Sequence, residues 1–181
     1  MQAHHCFILP GLNNSGAGHW QTHWQDDFGY QRIEQDDWDH PVSADWLQRI
    51  EASLASYPRQ EIILIGHSLA CCAIVQWAAQ YQAVIKGALL VAPSDTEAPS
   101  YPSGTSGFTP MPLQKLRFPS IVAASSNDPY VTLARAKHFA AAWGSEFENV
   151  GDLGHINVAS NIGKWPQGIT ILQKLFNASI C

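Results

Sequence analysis

The chain has 181 residues, 46% hydrophobic and 14% charged, with a formal net charge of −5. So few charges alongside seven Trp, seven Phe and five Tyr exclude a disordered chain, and the length suits one domain, residues 1–181, with a core of its own. The acidic balance argues against a nucleic-acid partner. No apolar run nears the ~18–20 residues that span a bilayer, and the first residues lack the n- and h-regions of a signal peptide, so a cytoplasmic chain without a membrane partner is expected.

Short apolar runs alternate with stretches of helical period, which predicts an α/β protein with a mostly parallel sheet. Cys6 to Leu9 reads as a first strand, ended by Pro10-Gly11, with a helix over 20–28 and a second strand near 30–34. Ser43 is the expected N-cap of a helix to about Tyr57, with Trp46, Ile50 and Leu54 on one face and Pro58 as its stop. Residues 61–66 have the unbroken apolar character of a strand buried on both faces. Residues 68–81 are apolar nearly all round, as in a buried helix. Strands are expected over 88–92 and 121–124. A helix carrying Leu133, Ala136, Ala140 and Trp143 follows and ends at Gly144, then a strand near 146–150 and a helix after Pro166 complete about six units. Only residues 93–112, with five Pro and many Ser, Thr and Gly, break this rhythm. They form a long loop of the kind that is commonly functional.

The four cysteines form no CxxC pair, and they read as reduced, buried small hydrophobes. His19 and His23 have the i,i+4 spacing of helical metal ligands, but no Glu follows His19 as HExxH requires, so no metal is expected.

The sharpest feature is strand–Gly66-His67-Ser68-Leu69-Ala70–helix. A nucleophile elbow needs that placement, because the sharp turn lifts a serine hydroxyl above the sheet and small neighbours let the backbone come close. A serine hydroxyl also needs a general base, and the base needs an acid to orient it. Asp128 follows the 121–124 strand, 60 residues after Ser68, and His155 follows the last strand 27 residues later. Both fall at strand ends on one edge of the sheet. The competing readings are Ser68 as a plain N-cap, Asp128 as a turn residue before Pro129, and Asp95 as the acid. Asp152 lies too close in sequence to His155 to be preferred. For His67, beside the nucleophile, packing or a backbone contact is expected, and His4, His5, His40 and His138 read as surface or structural groups.

With these residues in view, the chain resembles small α/β-hydrolase-fold serine hydrolases of the retinoblastoma-binding-protein-nine type, over essentially its whole length. The resemblance rests on Leu9-Pro10-Gly11 with Gly18-His19-Trp20, on Asp37-Trp38-Asp39-His40-Pro41, on Gly66-His67-Ser68-Leu69, on Asn127-Asp128-Pro129 and on Gly154-His155. It implies a three-layer α/β-hydrolase fold and a Ser68–His155–Asp128 triad. One departure is Ala70, where the wider superfamily favours Gly.

The elbow would offer the Leu69 N–H to an oxyanion, and the loop after the first strand a second N–H, Leu12 first and Asn13 next. Asn13 and Trp38 are the candidates for lining a substrate pocket; Trp20 and Trp24 share a helix face and read as core. The expected reaction is acyl transfer from a small ester to water through an acyl-serine, without a cofactor. The alternative is a catalytically idle fold that binds a protein partner. At 181 residues there is no room for a helical cap, which predicts an open site covered at most by 93–112.

Overall fold

The computed structural model describes residues 5–178. In chain order its elements are β1 (His5–Leu9), α1 (Trp20–Phe28), β2 (Gln31–Arg32), α2 (Ser43–Leu54), β3 (Ile62–His67), α3 (Leu69–Gln80), β4 (Gly87–Val91), β5 (Ser120–Ala124), α4 (Leu133–Trp143), β6 (Glu146–Asn149) and α5 (Pro166–Asn177). Short 3-10 turns occupy Arg59–Glu61 and Val158–Ser160. The strands form one sheet in the order β2-β1-β3-β4-β5-β6, with every neighbouring pair parallel. This is the α/β-hydrolase arrangement, and no separate cap domain is present among the described residues. The β4–β5 connection, residues 92–119, carries no helix.

The central strands β3 and β4 are buried at every position, as their continuous apolar runs require. Side chains alternate between two layers. Phe7, Leu9, Ile62 and Leu64 pack with residues of α2, α3 and α4, while Ile8, Ile63 and Ile65 pack with residues of α1 and α5. The first seven residues of α3, Leu69 to Val75, are all at most 1% exposed, so the first two turns of this helix are enclosed on every side. No described helix is long and apolar enough to cross a membrane.

Two local expectations need correction. The second strand is only Gln31–Arg32, although Ile33 still donates to the Ile8 carbonyl. Beyond it, Asp37 Oδ1 accepts from the N–H groups of both Asp39 and His40 and turns the chain away. The N-cap of α2 is Val42, not Ser43. Ser43 enters the first turn because its N–H is held by the Ser106 carbonyl and its hydroxyl donates to Gln76. On α4, Leu133 is only half-buried and Phe139 joins Ala136, Ala140 and Trp143 in the core. The cysteines Cys6, Cys71 and Cys72 are buried free thiols, whereas His4 and Cys181 lie outside the described residues.

The sheet order reverses between β1 and β3, because the chain passes from β1 outward to β2 and then returns to the other side of β1. Such a reversal leaves a crevice beyond the strand ends where ligands bind. Gln21, fully buried on α1, sits across it and donates Nε2–H to the carbonyls of both Leu9 and Ile65.

Candidate active site

Ser68 joins β3 to α3 with φ 58° and ψ −123°. That sparsely populated conformation costs about 1–3 kcal/mol and persists only where its surroundings enforce it. Here the Ser68 N–H donates to the Val91 carbonyl at 2.9 Å, and the glycines around the turn have no room for a side chain. A Cβ on Gly66 would lie 2.6 Å from Ile74 Cδ1, and one on Gly11 would lie 2.8 Å from the His67 carbonyl and 2.9 Å from Ser68 Cβ. Ala70, where a Gly was favoured, is buried in the same turn without disturbing it.

Ser68 Oγ lies 2.8 Å from His155 Nε2. Across the ring, His155 Nδ1 lies 3.0 and 2.9 Å from the two carboxylate oxygens of Asp128. The Asp128 side chain is fully buried and accepts the Tyr130 N–H as well. Asp95, the competing acid, turns away from His155 and pairs with Arg135 Nε at 3.1 Å. The two loops that carry Asp128 and His155 are tied together. Asn127 Oδ1 accepts from the Gly154 N–H at 2.7 Å and from the Ser125 hydroxyl, which in turn accepts the Leu153 N–H.

His155 is also held from behind. His67 Nε2 donates to the His155 carbonyl at 2.8 Å, which is the backbone contact expected of it. Trp20 Nε1 donates to the next carbonyl, that of Ile156, at 2.8 Å. The His67 ring stands 4.9 Å from each of the His19 and His155 rings. Burial, and then its histidine neighbours, hold His67 well below the ordinary histidine range. Burial does the same to His19, with Arg32 adding to it, and brings it down to about 3. His19 Nδ1 accepts the Gln21 N–H and so caps α1, which leaves the ring neutral with its proton on Nε2.

A cleft of about 630 Å3 opens over Ser68. Leu12, Asn13, Asn14 and Gly16 line it from the β1 loop, Ser94, Tyr101 and Pro102 from 93–112, and Tyr130 and residues 157–159 from the far side. Leu12 and Leu69 bring backbone N–H groups with no protein acceptor among the described residues. The Asn13 N–H, in contrast, is taken by the Trp38 carbonyl at 2.9 Å. Gly11 packs directly on the elbow, and this close contact sets Leu12 beside Leu69. Trp38 does not reach the cleft: its ring packs edge-on against Trp46 at 5.5 Å, over the apolar layer below. It acts on the site only through the carbonyl that fixes the Asn13 loop.

Ser94 and Trp20 touch this machinery and were not singled out for it from sequence. Ser94 Oγ is 2.8 Å from Ser68 Oγ. Its place just beyond the end of β4, on the edge that also carries Ser68, Asp128 and His155, is the feature that could have marked it. Among the described residues no cluster of three or more His, Cys, Asp or Glu is placed to hold a metal ion.

A family model described as serine hydrolase matches residues 6–174. A YdeN-like hydrolase from Pectobacterium atrosepticum is 33% identical, with a TM-score of 0.84 over 96% of this chain and 91% of its own. The ydeN gene product of Bacillus subtilis shares the fold at 20% identity, with a TM-score of 0.81 over 97% of this chain and 100% of its own. Est1E from Butyrivibrio proteoclasticus shares it at 12% identity, with a TM-score of 0.68 over 98% and 90%. No curated protein matches the chain.

Proposed function

We propose that this chain, which belongs to the serine hydrolase family, hydrolyses small uncharged acyl compounds, carboxylic esters foremost, through an acyl-Ser68 intermediate. The observation that carries this reading is the unbroken hydrogen-bonded line Asp128–His155–Ser68 ending on a strained serine at the floor of a cleft. In acylation Ser68 Oγ bonds the substrate carbonyl carbon while its proton passes to His155 Nε2. Asp128 holds the Nδ1 proton in place and stabilises the imidazolium that forms. The oxyanion is met by the N–H groups of Leu69 and Leu12, the former at the start of α3 where the helix dipole favours negative charge. His155 then protonates the leaving group. Water enters, gives its proton to His155, and releases the acid.

The substrate class follows from the lining. Among the described residues no Lys, Arg, Asp or Glu borders the cleft, and His19 and His67 are neutral, so nothing there would offset a charge on the acyl group. The chain's resemblance to the retinoblastoma-binding-protein-nine type accords with this chemistry. Buried free cysteines suit the reducing cytoplasm, where we place the protein as one domain without nucleic-acid or membrane partners.

A fluorophosphonate probe tests the mechanism. The full chain should be labelled on Ser68, and Ser68→Ala and His155→Ala should lose labelling. Equal labelling of the parent and Ser68→Ala would end this reading. On a panel of p-nitrophenyl esters, short neutral acyl groups should turn over faster than succinyl or other carboxylate-bearing ones.

A further inference from the structure

Ser94 lies three residues beyond β4, is 1% exposed, and places its hydroxyl 2.8 Å from Ser68 Oγ. The direction of that hydrogen bond follows from counting protons. His155 Nδ1 faces the Asp128 carboxylate, so the neutral ring carries its proton there and Nε2 is an acceptor. Ser68 has one proton, and it goes to Nε2. The bond between the two hydroxyls can then run only from Ser94 to Ser68. The result is a single-direction line, Ser94 to Ser68 to His155.

We propose that Ser94 is a fourth catalytic residue, whose hydroxyl donates to Ser68 Oγ, fixes its rotamer and stabilises the charge that Oγ carries as a leaving group. This rests on the acyl-Ser68 reading above. In acylation the Oγ–C bond forms, the Oγ proton moves to Nε2, and the carbonyl π pair goes to the oxyanion; Ser94 keeps its own proton and holds the attacking oxygen towards His155. In deacylation the water oxygen bonds the acyl carbon and Nε2 takes the water proton. The C–Oγ bond then breaks, its electron pair returns to Oγ, and the Nε2 proton follows. Charge on Oγ is greatest at that break, where the Ser94 O–H already points. Because Ser94 belongs to the 93–112 loop, this hydrogen bond ties that loop to the nucleophile.

The test uses the full chain, a fluorophosphonate probe and p-nitrophenyl acetate. Ser94→Ala should slow labelling and kcat about 10- to 100-fold, the range for one hydrogen bond to a charged oxygen, and leave KM within about twofold. Ser94→Thr, which keeps the hydroxyl, should recover most of that loss. Labelling of Ser94→Ala at the parent rate, or a loss confined to KM, overturns the proposal. If Ser94→Ala does not fold, Ser94→Cys, nearly equal in size and a poor donor, takes its place under the same criteria. Failure of the parent chain to label at Ser68 would instead sink the reading of the site itself, so the two failures are distinct.

Discussion

His155 is gripped on four sides: Asp128 at Nδ1, Ser68 at Nε2, His67 at its carbonyl, and the Tyr130 ring edge-on at 4.7 Å. The grip assigns separate effects to neighbouring residues. Asp128→Asn should lower kcat by about 10³–10⁴-fold, since the amide leaves the imidazole in the wrong tautomer. Asp95→Asn should leave turnover within about threefold and cost at most ~1 kcal/mol, because it loses only a partly exposed pair with Arg135. Rates of p-nitrophenyl acetate hydrolysis and denaturant midpoints for the two variants check both statements. Ser68, Asp128 and His155 were legible in the chain because each follows a recognisable strand. Trp20 was not, because its partner carbonyl lies 136 residues away and nothing local marks the pairing, and Ser94 carried no mark beyond its place after β4.

At the scale of elements, the site is a meeting of the β1 loop, the β3–α3 turn and the loops after β4, β5 and β6. A rigid joint is Gly11 on the elbow, where a methyl would strike backbone and Ser68 Cβ, neither of which can rotate aside. Gly11→Ala must therefore part the Leu12 loop from Leu69. It should slow fluorophosphonate labelling by at least about tenfold, in line with loss of one oxyanion donor, and lower the thermal midpoint by a few degrees. Gly66→Ala meets the movable end of Ile74 instead, so it should cost more stability than labelling rate, about 1–3 kcal/mol in the core. Measuring both quantities on both variants separates the two glycines. The pattern of apolar runs located these strands and helices. It could not locate the start of α2, which the Ser106 carbonyl sets from the far 93–112 loop, nor the early end of β2 at Arg32.

For the molecule as a whole, the buried neutral histidines make stability depend on pH. His19 takes up its proton near 6.5 when unfolded but only near 3 when folded. Above pH 6.5 both states are neutral and the group contributes nothing to the slope. As pH falls from 6.5 towards 3 the unfolded chain binds a proton that the folded chain refuses, so stability drops by about 1.4 kcal/mol per pH unit for this histidine. His67 acts in the same direction. His19→Asn keeps an acceptor for the Gln21 N–H at the start of α1 and removes the titrating group, so its stability should fall less steeply between pH 6.5 and 5. Urea midpoints for the two chains at several pH values check this; parallel slopes would contradict it. The order of apolar segments already dictates a parallel sheet with Ser68, Asp128 and His155 at one edge, because burial of continuous strands and crossover helices leaves few other arrangements. Which of Asp95 and Asp128 meets His155, that Trp38 packs inward, that Asn13 spends its N–H on the Trp38 carbonyl, and that Ser94 touches Ser68 were settled only when distant loops came together. Hydrogen bonds at 2.8–3.0 Å depend on positions in space that no local pattern of residues encodes.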